Sequence, residues 1–182
     1  MDNEARTMTW KCAWCGTRLD FPDEDEGLRH VVSHGVCQRC AFRLGAQLGM
    51  PLSEYLDGLE APIVLVGGGG DVRGANARAR ALLGKELPQI VGRLGGEVFE
   101  CRHATLPEGC GRTVHCSGCA IRRTVTDTYA TGRAHLSEPA SLDQGTPEEP
   151  THAELRISTE RVSDVVLLRI DELERGLPGG RS

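Results

Sequence analysis

The chain has 182 residues, a formal net charge of −5 and 23 glycines, but only two Trp, two Tyr and three Phe. That length fits one ordinary domain plus a small extra module, and so few aromatics exclude a large aromatic-filled core. The acidic balance argues against gripping nucleic acid through its phosphates, which needs clustered Lys and Arg.

The N-terminus, Met-Asp-Asn-Glu-Ala-Arg, lacks the positive-then-apolar pattern of a signal peptide. The most apolar short runs, Ile63–Val66 and Val165–Leu168, are far below the roughly 20 residues that cross a bilayer. A cytoplasmic protein with no membrane or nucleic-acid partner is expected. Disulfides are rare in that compartment, so eight cysteines point to metal or redox chemistry.

In chain order, Cys12-Ala-Trp-Cys15 and Cys37-Gln-Arg-Cys40 come first. A C-x₂-C turn can aim two sulfurs at one ion, and two such knuckles complete a closed tetrahedral site. A closed site has no open coordination position, so zinc there would hold structure and not catalyse. His30 and His34 stand before the second knuckle, but four cysteines already suffice. No His follows either pair, which excludes a c-type haem. The run Asp23–Glu26 reads as a solvated loop that would repel nucleic acid.

Residues 41–49 predict a short helix stopped by Gly49. Pro51 opens a second, with Leu52, Tyr55, Leu56 and Leu59 at helical spacing and Pro62 closing it. That apolar face could pack on its own domain or serve a homodimer. A boundary is expected at 58/59, separating a zinc-ribbon-like module (1–58) from a larger domain (59–174) and a frayed tail (175–182). Ile63–Val66 then reads as a buried strand, Gly67–Gly70 as a hairpin turn and Val72–Ala75 as the returning strand. No Gly-Lys-Ser/Thr follows the glycines, so they are not a phosphate loop. Asn76 can cap a helix that Gly84 ends. Leu87–Val91 fits a helical turn and Gly92–Glu97 a loop.

The second cysteine set, Cys101, Cys110, Cys116 and Cys119, has a different character. Only one C-x₂-C is present, and Gly109, Gly111 and Gly118 would let backbone approach an ion closely. Uneven spacing with glycines suits an iron–sulfur cluster at least as well as Zn²⁺, and the residues leave both open. Cys116 and Cys119 precede a predicted helix, Ala120–Ala130, whose dipole favours negative charge. Arg102, Arg112, Arg122 and Arg123 can offset the thiolate charge. His103 and His115 could ligate, or donate a hydrogen bond to a ligating sulfur. No partner set for a catalytic cysteine is recognisable, so an enzyme is not expected. Beyond the helix, Ser137–Thr151 reads as a strand end and a loose loop. Leu155–Ser158 and Val162–Ile170 read as an antiparallel pair.

Two resemblances follow from these residues. Ser33-His34-Gly35-Val36-Cys37-Gln38-Arg39-Cys40, behind an upstream C-x₂-C, resembles the S-H-G-[IV]-C-x-x-C knuckle found beside PAS domains in bacterial signalling proteins. It covers about residues 10–45. Ala61–Val66, the glycine turn, Gly74-Ala75-Asn76-Ala77, Ala81-Leu82-Leu83-Gly84 and the C-terminal strand pair resemble a PAS domain over residues 61–171. The stretch from Glu100 to Arg123 resembles a cysteine-bearing variant of it. The resemblance implies an α+β fold, a PAS-like antiparallel sheet with covering helices. It further implies a sensory or regulatory role, in which the second site senses redox state or oxygen and signals to a partner such as a kinase or regulator. The rival expectation is a non-sensing adaptor in which both metals are zinc staples.

Overall fold

The computed structural model describes residues 9–13, 15–19, 32–47, 49, 51–146 and 148–174. Asp23–Glu26, His30 and the tail from Arg175 lie outside them, as does the side chain of His34. The chain forms two compact units, Met1–Tyr55 and Leu56–Ser182.

The first unit holds a three-stranded sheet of β1 (Thr9–Cys12), β2 (Arg18–Leu19) and β3 (Val32–Gly35), in the order β2-β1-β3. β1 runs antiparallel to β2 and parallel to β3, with Cys12 opposite Gly35. α1 (Gln38–Gln47) follows, starting earlier than expected. Among the described side chains of this unit, Cys12 and Cys40 are the buried ones. α2 (Leu52–Asp57) is shorter than expected, ending before Leu59.

The second unit is a five-stranded antiparallel sheet in the order β5-β4-β8-β7-β6. Its strands are β4 (Ile63–Val66), β5 (Val72–Ala75), β6 (His135–Gly145), β7 (Pro150–Val162) and β8 (Val165–Glu174). The first and last strands of the unit, β4 and β8, pair at its centre. Helices α3 (Ala77–Leu83), α4 (Leu87–Ile90), α5 (Gly95–Val98) and α6 (Ala120–Thr131) supply the other half of the core. Val64, Val166, Leu168 and Ile157 from the sheet meet Ala79, Leu83, Ile90, Val98 and Val125 from the helices. This is the α+β architecture the sequence implies, a PAS-like antiparallel sheet with covering helices.

Asn76 is the hub where these elements join. It is 1% exposed. Its Oδ1 accepts from the N–H of Ala79 at 2.9 Å, capping α3, and from that of Ile63 at 2.9 Å. Its Nδ2 donates to the carbonyls of Leu56 (3.1 Å) and Ala61 (2.9 Å). One side chain thus satisfies four backbone groups at the start of β4, the end of α2 and the start of α3.

Two expectations fail. Residues 137–151 are not a strand end with a loose loop: most of them extend β6 and open β7, paired from Glu138↔Ile157 to Gly145↔Pro150. Pro139 disguises the strand, but β6 is an edge strand with one neighbour, where proline is tolerated. Its inward residues Ala140, Leu142 and Gln144 do alternate with exposed or half-buried ones. Gly92–Glu97 is not all loop either, because α5 begins at Gly95, held by Glu97 Oε2 accepting from the N–H of Leu94 at 2.9 Å. Val162 closes β7, and the turn to β8 lies at Ser163-Asp164. Among the described residues, no helix is long and apolar enough to cross a membrane.

Replacing Asn76 with Ala leaves four buried backbone groups without their partner. Asn76→Ala is expected to lower unfolding free energy by about 3 kcal/mol, read from urea denaturation of the full chain. Asn76→Asp should be no milder, because its second oxygen would face the Leu56 and Ala61 carbonyls that Nδ2 now donates to.

Candidate metal sites

The first site is built by the sheet of the first unit. The parallel pairing of β1 and β3 sets Cys12 beside Gly35, so both knuckles leave the same end of that sheet. The first knuckle is closed by Cys12 N–H donating to Thr17 O (2.8 Å) and Gly16 N–H donating to Cys12 O (2.9 Å). Cys37 precedes α1 and Cys40 lies in its first turn. The backbone N–H of Cys37 donates to Cys12 Sγ at 3.3 Å, joining the knuckles.

All four sulfurs lie within 4.8 Å of one another. Cys15 Sγ and Cys37 Sγ are 3.7 Å apart. A tetrahedron with metal–sulfur bonds of about 2.3 Å has an edge of about 3.8 Å. The four-cysteine group could therefore hold a metal ion. Its electrostatics favour one: burial, then the neighbouring cysteines, push the Cys40 thiol up to about 12. Burial also raises Cys37, while Thr17 beside Cys15 lowers that thiol. Thiols packed this closely resist becoming thiolates together unless a cation sits among them.

The second set lies on the helical side of the second unit. Cys101 follows α5, a 3₁₀ turn runs Arg102–Thr105, Cys116 lies in a second 3₁₀ turn (Val114–Ser117), and Cys119 is the N-cap of α6. Among the described residues, these sulfurs do not form a group of the kind that joins the first four. They are still neighbours: Cys101 and Cys110 each feel the charge of the other three or of two of them.

Backbone and side-chain donors converge on this set. Gly96 N–H donates to Cys110 Sγ (3.3 Å) and Gly111 N–H to Cys116 Sγ (3.1 Å), and Thr113 Oγ1 is 3.2 Å from Cys116 Sγ. Burial raises Cys101 and Cys110. Burial would raise Cys116 too, but the Thr113 hydroxyl, the Gly111 and Thr113 amides and the Arg122 guanidinium outweigh it and lower that thiol. Two glycines permit this approach. A Cβ on Gly96 would stand 2.7 Å from Cys110 Sγ, and one on Gly111 2.7 Å from Arg122 Nη1. Gly111 also has φ +88°, which strains any other residue.

Arg112 is exposed, and Arg122 is the cation beside Cys116. His103 and His115 stack on each other with ring centroids 4.0 Å apart. Rather than pointing to a sulfur, His103 Nε2 lies 3.2 Å from Asp143 Oδ2. Asp143 Oδ1 is 2.8 Å from His152 Nδ1, and the two histidines, His152 first, hold its carboxyl below the usual range. Asp143 and His152 escaped sequence reasoning, since neither stands near a cysteine in the chain. The alternation Ala140-x-Leu142-x-Gln144 was the signal that could have placed them on a strand.

No family model matches the chain, and no curated protein matches it. Solved structures similar to it include the photoactive yellow protein domain of the sensor histidine kinase Ppr from Rhodospirillum centenum, at 16% identity and TM-score 0.42, covering 70% of this chain and 98% of that one. A PAS domain from Desulfitobacterium hafniense has 15% identity and TM-score 0.38, covering 66% and 96%. The PAS domain of an HTR-like protein from Haloarcula marismortui has 13% identity and TM-score 0.38, covering 71% and 99%.

Because the thiols of Cys37 and Cys40 are raised, they carry protons near neutrality and must release them to bind a cation. Zinc affinity at the first site is expected to rise with pH between 6 and 8, by more than about tenfold per unit. Competition with a chromophoric chelator measures it, and a flat profile contradicts the four-thiolate site.

Proposed function

We propose that this is a cytoplasmic sensory or regulatory protein. The first cysteine set holds a structural zinc ion. The second holds an iron–sulfur cluster or zinc that senses redox state or oxygen and signals to a partner protein such as a kinase or regulator. The reading assigns the cysteines no catalytic role.

The contrast between the two sets carries it. The first four sulfurs are gathered as one tetrahedral ion requires. The second four share a charge environment without being gathered in that way. A cluster, whose irons and sulfides lie between its thiolates, holds them further apart than one ion does. Amide N–H bonds to sulfur, as from Gly96 and Gly111, are among the features that set a cluster's potential. The location also supports signalling. Cys119 caps α6, which packs on the sheet through Val125 and through Thr128 Oγ1, 2.7 Å from Thr159 Oγ1. A change at the cysteines would act directly on the seating of a core helix, and the PAS resemblance of the sequence points the same way.

Anaerobic purification with absorbance and metal analysis tests the reading. Visible charge-transfer absorption with iron and sulfide, plus one zinc per chain, is expected. A colourless protein with two zinc ions and no iron defeats the iron–sulfur sensor and supports the adaptor with two zinc staples.

Gly96→Ala adds a methyl group where Cys110 Sγ stands. It is expected to weaken metal affinity at the second site by at least about tenfold, the range seen when a site's supporting contacts are lost. Zinc at the first site should be unchanged. Equal loss at both sites would mean a general folding defect.

A further inference from the structure

The stretch that carries Cys101 is held in an unusual way. Glu100 has φ +57°, a left-handed backbone that non-glycine residues rarely adopt. Such a conformation costs about 1–3 kcal/mol and persists where its surroundings over-determine it. Lys85 does part of this, donating to Val98 O at 2.7 Å and pairing with Glu100 at 2.8 Å. The rest comes from two adjacent residues of β6. Gln144 points inward and donates from Nε2 to Phe99 O at 2.7 Å. Asp143 lies on the other side of the strand and meets His103 Nε2 at 3.2 Å. The backbone two residues before Cys101 and the side chain two residues after it are therefore fastened to neighbouring positions of one strand.

Gln144 is the telling residue. It is 1% exposed, at an inward position that follows Ala140 and Leu142 in register. Its Oε1 is buried without a hydrogen-bond partner. The amide cannot be turned over, because the Phe99 carbonyl can only accept. A buried orphan acceptor is destabilising, and an apolar side chain would fill the position without bringing one of its own, though it would leave the Phe99 carbonyl unpaired. The bond to Phe99 is what the glutamine supplies and an apolar residue cannot. Asp143, meanwhile, extends the brace in both directions: Oδ1 reaches His152 on β7, and His103 stacks on His115, next to Cys116.

We propose that Asp143 and Gln144 are positioning residues that fix Cys101 against the β6–β7 hairpin, and so register the second cysteine site to the sheet. The purpose of this clamp rests on the reading of Cys101 as a metal ligand, but its existence can be tested without that reading.

The test is time-resolved alkylation of the full chain with iodoacetamide, each cysteine followed by mass spectrometry, with metal content and urea stability measured on the same preparations. In Gln144→Leu, Cys101 is expected to be labelled about tenfold faster, the effect of losing one hydrogen bond that restrains local opening. Cys110, Cys116 and Cys119 should stay within about twofold of wild type, and global stability should change little, because leucine removes the orphan Oε1 but leaves the buried Phe99 carbonyl unpaired. Asp143→Ala should likewise accelerate Cys101. Asp143→Asn should restore the wild-type rate, since its Oδ1 can accept from one histidine and its Nδ2 donate to the other. An unchanged Cys101 rate in both Gln144→Leu and Asp143→Ala overturns the proposal, as does acceleration of all four cysteines together. Asp143→Asn behaving like Asp143→Ala overturns the Asp143 half. Absence of metal at the second site in the wild type would contradict the functional reading alone, because the selectivity for Cys101 is decided by the labelling.

Discussion

Four thiolates cannot share a few ångströms without a cation among them, and the first unit is built around that constraint. Its buried described side chains are two of the sulfurs themselves, Cys12 and Cys40. In small modules a bound ion often supplies stability that apolar burial cannot, and these four sulfurs are gathered closely enough to hold one. The geometry follows: a short parallel pairing brings two knuckles to one end of a sheet, one amide ties Cys37 to Cys12, and α1 begins between Cys37 and Cys40. The raised Cys40 thiol expresses the same constraint as chemistry.

The second unit is built differently. Its core is apolar and continuous, from Val64 and Leu168 in the sheet to Val98 and Val125 in the helices. Its cysteines ride on the parts with least regular structure: two 3₁₀ turns, a strained Glu100 and the glycines at 109 and 111. Such segments open at lower free energy than sheet or core helix. The regular elements these cysteines adjoin are α5, which Cys101 follows, and α6, whose N-cap is Cys119.

Much of the fold was legible because its signals are local. Ile63–Val66 is an apolar run bounded by Pro62 and glycines, and Asn76 with Gly84 brackets α3 as a cap and a stop should. The doubled C-x₂-C announced the first site through spacing alone, because both ligand pairs lie in tight turns. The second site was legible as a set of residues but not as a geometry, since long-range packing and not spacing places Cys101 and Cys110. Composition also misled: the eleven residues of β6 contain one proline, one glycine, two serines and two acidic residues, which reads as loop. What makes it a strand is non-local, namely nine paired positions on β7 and a place at the sheet edge, where proline is tolerated.

That misreading concealed the most informative residues in the site. An edge strand has one face toward the core, one toward solvent and one unpaired side, so its residues are free to bind something other than a neighbouring strand. β6 uses this freedom at consecutive positions. Gln144 turns into the core to hold a carbonyl, and Asp143 turns outward to hold two histidines. Because successive side chains on a strand face opposite ways, the pair can grip one segment from both sides of the strand, which two residues on a single helix face could not do. The strand that looked least like structure is therefore the one able to tie the least regular part of the molecule to its sheet.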